Sequence, residues 1–252
     1  MKYLKLFSVL IILTIAMVAI NATHDKQGFE QAILKKNWSN VHKILNTKLL
    51  CSKMKNRSEL RIIKAHACLA LNKNNESLIY FFSASSKKCL ERYLKWANWF
   101  AKKHPTNSIS YYFKADASAR LEQWDYALNN FNEAIAKELK INSKEAGNYK
   151  VLALILEKNV RQMKKGKKKM LAMILNARGV VNTAQKNWDN AKLDFQLAIG
   201  VCPDFADSYV SQSTFAVLNR DVSKTTNLGF KQALKISPNF VLAHNGLACV
   251  NY

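Results

Sequence analysis

The sequence predicts an all-α protein built as a solenoid of helical hairpins, and three observations carry that expectation. Only seven glycines and three prolines occur in 252 residues, too few for the tight turns that a strand-rich fold requires. Hydrophobic residues make up 49% of the chain, enough for a substantial core. A short motif also recurs, in which an aromatic is followed by a cap-type residue and a helical stretch. It occurs as Asn37-Trp38-Ser39-Asn40-Val41, as Gln123-Trp124-Asp125-Tyr126-Ala127 and as Asn187-Trp188-Asp189-Asn190-Ala191. Self-similarity of this kind marks a repeat architecture.

At the N-terminus, Lys2 and Lys5 precede an apolar run from Leu6 to Ile20, which ends in Asn21-Ala22 before the polar Thr23-His24-Asp25-Lys26. This is the layout of a secretory signal. The run is shorter than the ~20 residues that cross a bilayer comfortably, and Ala22 suits the position before a cut. An uncut helix with its lysines retained inside would instead be an anchor. Residues 1–22 are therefore expected to be a signal peptide or membrane anchor. The remainder is expected to be exported or membrane-anchored, in a bacterial periplasm or at the outer face of the inner membrane.

Residues 23–105 are expected to hold degenerate helical repeats, with helices over 26–36, 39–50, 58–72, 75–84 and 87–103. Trp38 and Val41 mark one unit, and Lys102-Lys103-His104-Pro105 has the form of a repeat end. Residues 106–252 carry the clearer repeats, with helices over 107–121, 124–138, 144–164, 168–185, 188–200, 205–219, 223–236 and 239–250. There Phe195, Ala198 and Pro203 recur as Phe230, Ala233 and Pro238, each pair 35 residues apart. Trp124 and Trp188 are 64 residues apart, which leaves room for one long inserted helix, 144–164. The helix after Asn239 has no partner following it and is expected to cap the array.

These residues resemble the tetratricopeptide repeat family, whose pattern runs small residue, aromatic, Ala, aromatic, Ala, Pro over a helix-turn-helix unit. Ala172 to Phe205 matches with Gly179, Ala191, Phe195, Ala198 and Pro203. Ser108 to Ile141 matches with Ala115, Ala127, Phe131 and Ala134, with Leu139 where the family has Pro. Asp207 to Phe240 keeps Phe230, Ala233 and Pro238 but has Thr214 and Thr226 where smaller residues are usual. The resemblance implies a right-handed solenoid in which Gly and Ala let helices approach, aromatics fill the gaps between hairpins, and no unit buries its apolar face alone. Asp125 and Asp189, at the start of second helices, meet the positive end of the helix dipole, worth about 0.3–1 kcal/mol.

The motifs of common enzymes are missing. Scattered single glycines make neither a P-loop nor a dinucleotide-binding turn, and there is no G-x-S-x-G elbow. His24, His42, His66, His104 and His244 never form H-E-x-x-H or lie beside a second metal ligand at helical spacing, and no carboxylate pair suggests an acid/base couple. Cys51, Cys68, Cys89, Cys202 and Cys249 form no C-x-x-C, so no zinc site is expected. Cys68 and Cys249 suit buried positions, and export leaves one or two disulfides open. No catalytic residue, cofactor or metal ligand is assigned.

Binding is the remaining class. The resemblance implies a groove lined by the first helix of each hairpin, holding a peptide or partner helix. Its candidate residues are Ile109, Tyr112 and Asp116, then Met173, Asn176 and Val180, then Ser208, Ser211 and Phe215. The formal charge of +22 adds a second possibility, because it attracts anions over about 8 Å at physiological salt. Its focus is a flexible basic corner of Lys158, Arg161, Lys164, Lys165, Lys167, Lys168 and Lys169, able to meet anionic lipid or phosphates or to serve only as a solvated spacer. Trp38, Trp124 and Trp188 sit at core positions and are poor base-stacking candidates, so nucleic acid is the less favoured partner. The leading expectation is a non-catalytic scaffold for protein partners of the cell envelope. The alternative is a helical-repeat binder of polyanions.

Overall fold

One backbone turn, used five times, organises the chain. In the computed structural model, which describes residues 27–47, 57–220 and 224–250, left-handed φ values of 54° to 62° occur at the hairpin turns Lys36, Asn72, Glu122, Lys186 and Arg220, and once more at Lys140, which ends a helix outside the hairpin turns. At the first four, the next residue's N–H returns to the carbonyl five residues earlier: Asn37 to Ala32, Lys73 to Cys68, Gln123 to Ser118 and Asn187 to Asn182, at 2.8–2.9 Å. This is a Schellman cap that ends one helix and reverses the chain into the next.

The helices are α1 (27–34), α2 (Trp38–Leu45), α3 (Ser58–Ala70), α4 (Asn74–Phe82), α5 (Lys87–Lys103), α6 (Ser108–Arg120), α7 (Trp124–Leu139), α8 (Ser143–Gly147), α9 (Tyr149–Asn159), α10 (Lys165–Ala184), α11 (Trp188–Val201), α12 (Ala206–Leu218), α13 (Lys224–Ile236) and α14 (Val241–Val250). No strand occurs among the described residues. The repeated turn joins α1 to α2, α3 to α4, α6 to α7, α10 to α11 and α12 to α13. The hairpins stack into a solenoid, interrupted by α5 and by the α8–α9 segment and closed by α14, which packs on α12 and α13.

Side chains repeat with the turn. Five residues after the left-handed position stand Val41, Ala127 and Ala191, all fully buried, and nine after it stand Leu45, Phe131 and Phe195. Seven before it stand Ala65, Ala115 and Gly179. A Cβ on Gly179 would lie 2.7 Å from the Phe195 ring, so the close approach of α10 and α11 requires a glycine there. In the fifth hairpin the buried Ser213, not the exposed Thr214, occupies this small position. The cause is one extra residue after Arg220, since Phe230 stands ten residues on where Phe131 and Phe195 stand nine. The first helices therefore repeat at 34 residues and the second at 35.

Residues 144–164, expected as a single helix, form α8, α9 and a 3-10 turn over Val160–Gln162. Asn142 and Glu145 make a reciprocal capping box on α8, and Asn148 ends α8 while its side chain accepts from the Val151 N–H to start α9. The segment is held by Arg178 of α10, a fully buried guanidinium. It bonds Asp194 at 2.6 Å and 2.9 Å, Asn132 at 2.7 Å and the Ala146 carbonyl at 2.8 Å, and it lies 4.5 Å from the Tyr149 ring centre. Tyr149 and Asn182 donate to the second Asp194 oxygen. With every polar group partnered, a charge pair is tolerated at full burial.

No helix among the described residues is long and apolar enough to cross a membrane, and the segment 1–22 lies outside them.

Candidate functional site

The candidate groove residues divide into a closed part and an open part. Ile109, Tyr112, Asp116, Met173, Asn176 and Ser208 are buried by this chain itself. Over Tyr112 and Asp116 the second hairpin, α3/α4, does the covering. His66 of α3 hydrogen-bonds Asp116 at 3.0 Å and accepts from the Tyr112 hydroxyl at 3.0 Å, while Arg120 pairs with Asp116 at 2.9 Å and lies over the Phe81 ring of α4 at 3.9 Å. Burial opposes the Asp116 charge, but Arg120 and His66 prevail and hold its carboxyl well below the usual range. His66 and Asp116 stand at the same place in their hairpins, six residues before the left-handed turn.

The same hairpin reaches the far end of the array. The Asn72 side chain donates to the Asp204 carbonyl at 2.8 Å, Asn74 bonds Asp207, and Asn75 donates to the Asn239 carbonyl and accepts from the Val241 N–H. These contacts join residues more than 130 positions apart, so the array curls back until its second hairpin touches its fifth. Burial pushes the Asp207 carboxyl up to about 7, although Lys169 and Asn74 act against it.

The open part lies beyond. Val180 is half exposed and Ser211 partly so. Phe215, moved one position by the register shift, turns toward α11, with its ring centre 6.0 Å from that of Trp188 and 5.8 Å from that of Phe195. It floors a cleft of about 400 Å³ between α11, α12 and α13, where Gln196, Gln212 and Asn219 present amide groups beside Trp188. Sequence reasoning named Phe215 as a groove residue and missed Trp188, which it placed in the core. An apolar floor with amides along the wall can hold an extended chain, the rings taking a side chain and the amides pairing with backbone groups.

The lysine cluster is the first turn of α10, not a flexible corner. Lys164 is the N-cap, and Lys165, Lys167 and Lys168 are accessible, as are Lys158 and Arg161. No carboxylate occupies that turn, so these cations face the positive end of the dipole. Lys169 stands apart: it is buried, lies 4.9 Å from the Phe205 ring centre and approaches the Asp204 carbonyl, and burial lowers its pKa.

Cys68, Cys89, Cys202 and Cys249 are free thiols, and Cys51 lies outside the described residues. Burial, reinforced by the Glu76 charge, pushes the Cys68 thiol up to about 12.

No family profile and no curated protein matches the chain. Among solved structures it is similar to the crystal structure of YrrB, a TPR protein with an unusual peptide-binding site. The identity is 14%, the match spans 77% of this chain and 95% of that one, and the TM-score is 0.28. At that level the fold rests on this chain's own repeated turn and the residues at set distances from it. The fold is a solenoid of tetratricopeptide-like hairpins.

Proposed function

We propose that the chain is a non-catalytic scaffold that holds protein partners, exported or anchored at the envelope. The cleft between α11, α12 and α13 supports this reading, because it joins two aromatic rings to three side-chain amides on a stretch of the array that the α3/α4 hairpin leaves uncovered. It suits an extended segment of a partner with one apolar side chain seated on Trp188 and Phe215. A photo-crosslinking residue at Gln212, compared with one at the exposed Glu91 of α5, tests it in the native cell. The expected result is a discrete protein adduct from position 212 alone, and equal labelling from both positions would sink the proposal.

The exposed lysines at the start of α10 favour a second reading, binding of polyanions. Replacing Lys164, Lys165, Lys167 and Lys168 with Gln, while leaving the buried Lys169, separates the two. Polyanion binding should fall with these charges and weaken steeply as salt rises, whereas the Gln212 adduct should survive both changes.

A further inference from the structure

We infer that His42, Cys68 and Glu76 form a binding site for a divalent ion of borderline softness, with zinc as its best-matched occupant. The ligand-bearing atoms, one from each side chain, lie within 4.8 Å of one another. His42 Nε2 is 3.4 Å from Glu76 Oε2, and Cys68 Sγ is 3.8 Å from that same oxygen. Around a tetrahedral zinc with bonds of about 2.0–2.3 Å, neighbouring ligand atoms stand roughly 3.3–3.6 Å apart. The two observed edges are within a few tenths of an ångström of those lengths, and the third, between His42 and Cys68, is no longer than 4.8 Å. A set of one thiolate, one imidazole and one carboxylate selects zinc over magnesium or calcium, which prefer oxygen alone.

The repeated turn builds the site. Cys68 is the residue whose carbonyl receives the Lys73 N–H, and the reversal at Asn72 carries Glu76, in the first turn of α4, back over the thiol. His42 arrives from α2, which packs on α3. Cys68 is fully buried, whereas the Glu76 side chain is 48% exposed, so three ligands leave a fourth position open to solvent. That is the form of a reactive or exchangeable site, not of a closed structural one.

The surroundings set its demands. Lys64 donates to Asn46 Oδ1 at 2.6 Å, which turns the Asn46 amide so that its NH₂ points at His42 Nδ1, 3.1 Å away, and leaves the ring proton on Nε2, facing Glu76. For Nε2 to bind a metal, that proton moves to Nδ1 and the Asn46 amide rotates to accept it. The thiol loses its proton to solvent, and the thiolate and the Glu76 carboxylate together balance the two charges of the ion. One proton is released per ion from neutral His42, and a second when the ring starts as imidazolium. Lys64 and Lys73, which lies 3.4 Å from Glu76 Oε1, oppose the incoming cation. An aspartate at position 46 would accept from Lys64 and from His42 Nδ1–H at once, completing a carboxylate–histidine–metal arrangement.

The test uses the full chain, reduced, with Co²⁺ as the optical probe and Zn²⁺ as competitor and calorimetric ligand. The expected result is one ion per chain, a sulfur-to-cobalt charge-transfer band that zinc bleaches, and tetrahedral visible absorption. Cys68→Ser should lose the band, His42→Ala and Glu76→Gln should each weaken binding at least tenfold, and Asn46→Asp should tighten it by about tenfold. The partly exposed His42 and Glu76 keep the test valid if the Cys68 variant folds poorly. No binding at micromolar ion, a band that persists in Cys68→Ser, or affinity unmoved by both His42→Ala and Glu76→Gln would each overturn the assignment.

Discussion

The hairpins α3/α4 and α10/α11 share one turn and differ in the residue that follows it by two. In α10/α11 that residue is Trp188, which packs on its own repeat and lines the cleft. In α3/α4 it is Asn74, buried and bonded to Asp207 of the fifth hairpin. The first solution spends the position on local packing and the second on distant contact. One backbone device thus serves both to extend the array and to bend it closed.

Four predictions break or sharpen this contrast. The largest effect is expected for Arg178→Ala in the local hairpin, which leaves Asp194 buried without its cation and loosens α8 and α9. Chemical denaturation should show a loss of about 3–5 kcal/mol, and a loss under 1 kcal/mol would mean that the network is not built as described. Next comes Gly179→Ala, whose methyl meets the Phe195 ring. It should cost about 1–3 kcal/mol, while the same change at the open Gly200, read in the same denaturation series, should cost nothing.

In the long-range hairpin, Asp207 gives a pH signature. Its folded pKa is raised to about 7 from an ordinary value near 4, so the folded state binds the proton more tightly. Its favourable contribution is complete below pH about 4 and is lost as pH rises through about 7. Asp207→Asn should therefore gain on the wild type between pH 5 and pH 8 in urea midpoints, and a constant offset would refute the assignment. The smallest effect concerns the turn itself. Lys186→Gly should stabilise by about 1 kcal/mol, because a side chain other than Asn or Asp strains at left-handed φ, whereas Asn72→Gly should gain less. Equal gains at both positions would show that the asparagine confers no local advantage.

Much of the fold was legible because tetratricopeptide-like packing writes itself at fixed distances. Trp38, Trp124 and Trp188 marked three of the five turns, and Gly179 with Phe195 marked a helix–helix approach. The helix break at Asn72-Lys73-Asn74 is legible, but its kinship with the other turns is not, because the aromatic is absent and only the backbone repeats. The division of 144–164 had a signal in Asn142-Ser143-Lys144-Glu145 and Gly147-Asn148, outweighed in the reading by the apolar stretch after it. The one-residue shift in the fifth hairpin sets Ser208, Ser211 and Phe215 one position off the places that their counterparts hold in the other hairpins, since a count through Phe230 runs beyond the extra residue. His42, Cys68 and Glu76 converge only after three helices fold together, and Asp116 finds His66 fifty residues away. Neither pairing follows any helical period.

The contacts made by Asn72, Asn74 and Asn75 also change how the molecule should come apart. An open array of hairpins has two free ends and can fray inward from either, unit by unit, with each lost neighbour costing little of the rest. Joining the second hairpin to the fifth gives the units between them a neighbour on every side and makes each break a broken circle. Such a chain should hold until the clasp fails and then melt as a whole, its three asparagines deciding between gradual fraying and a single cooperative step.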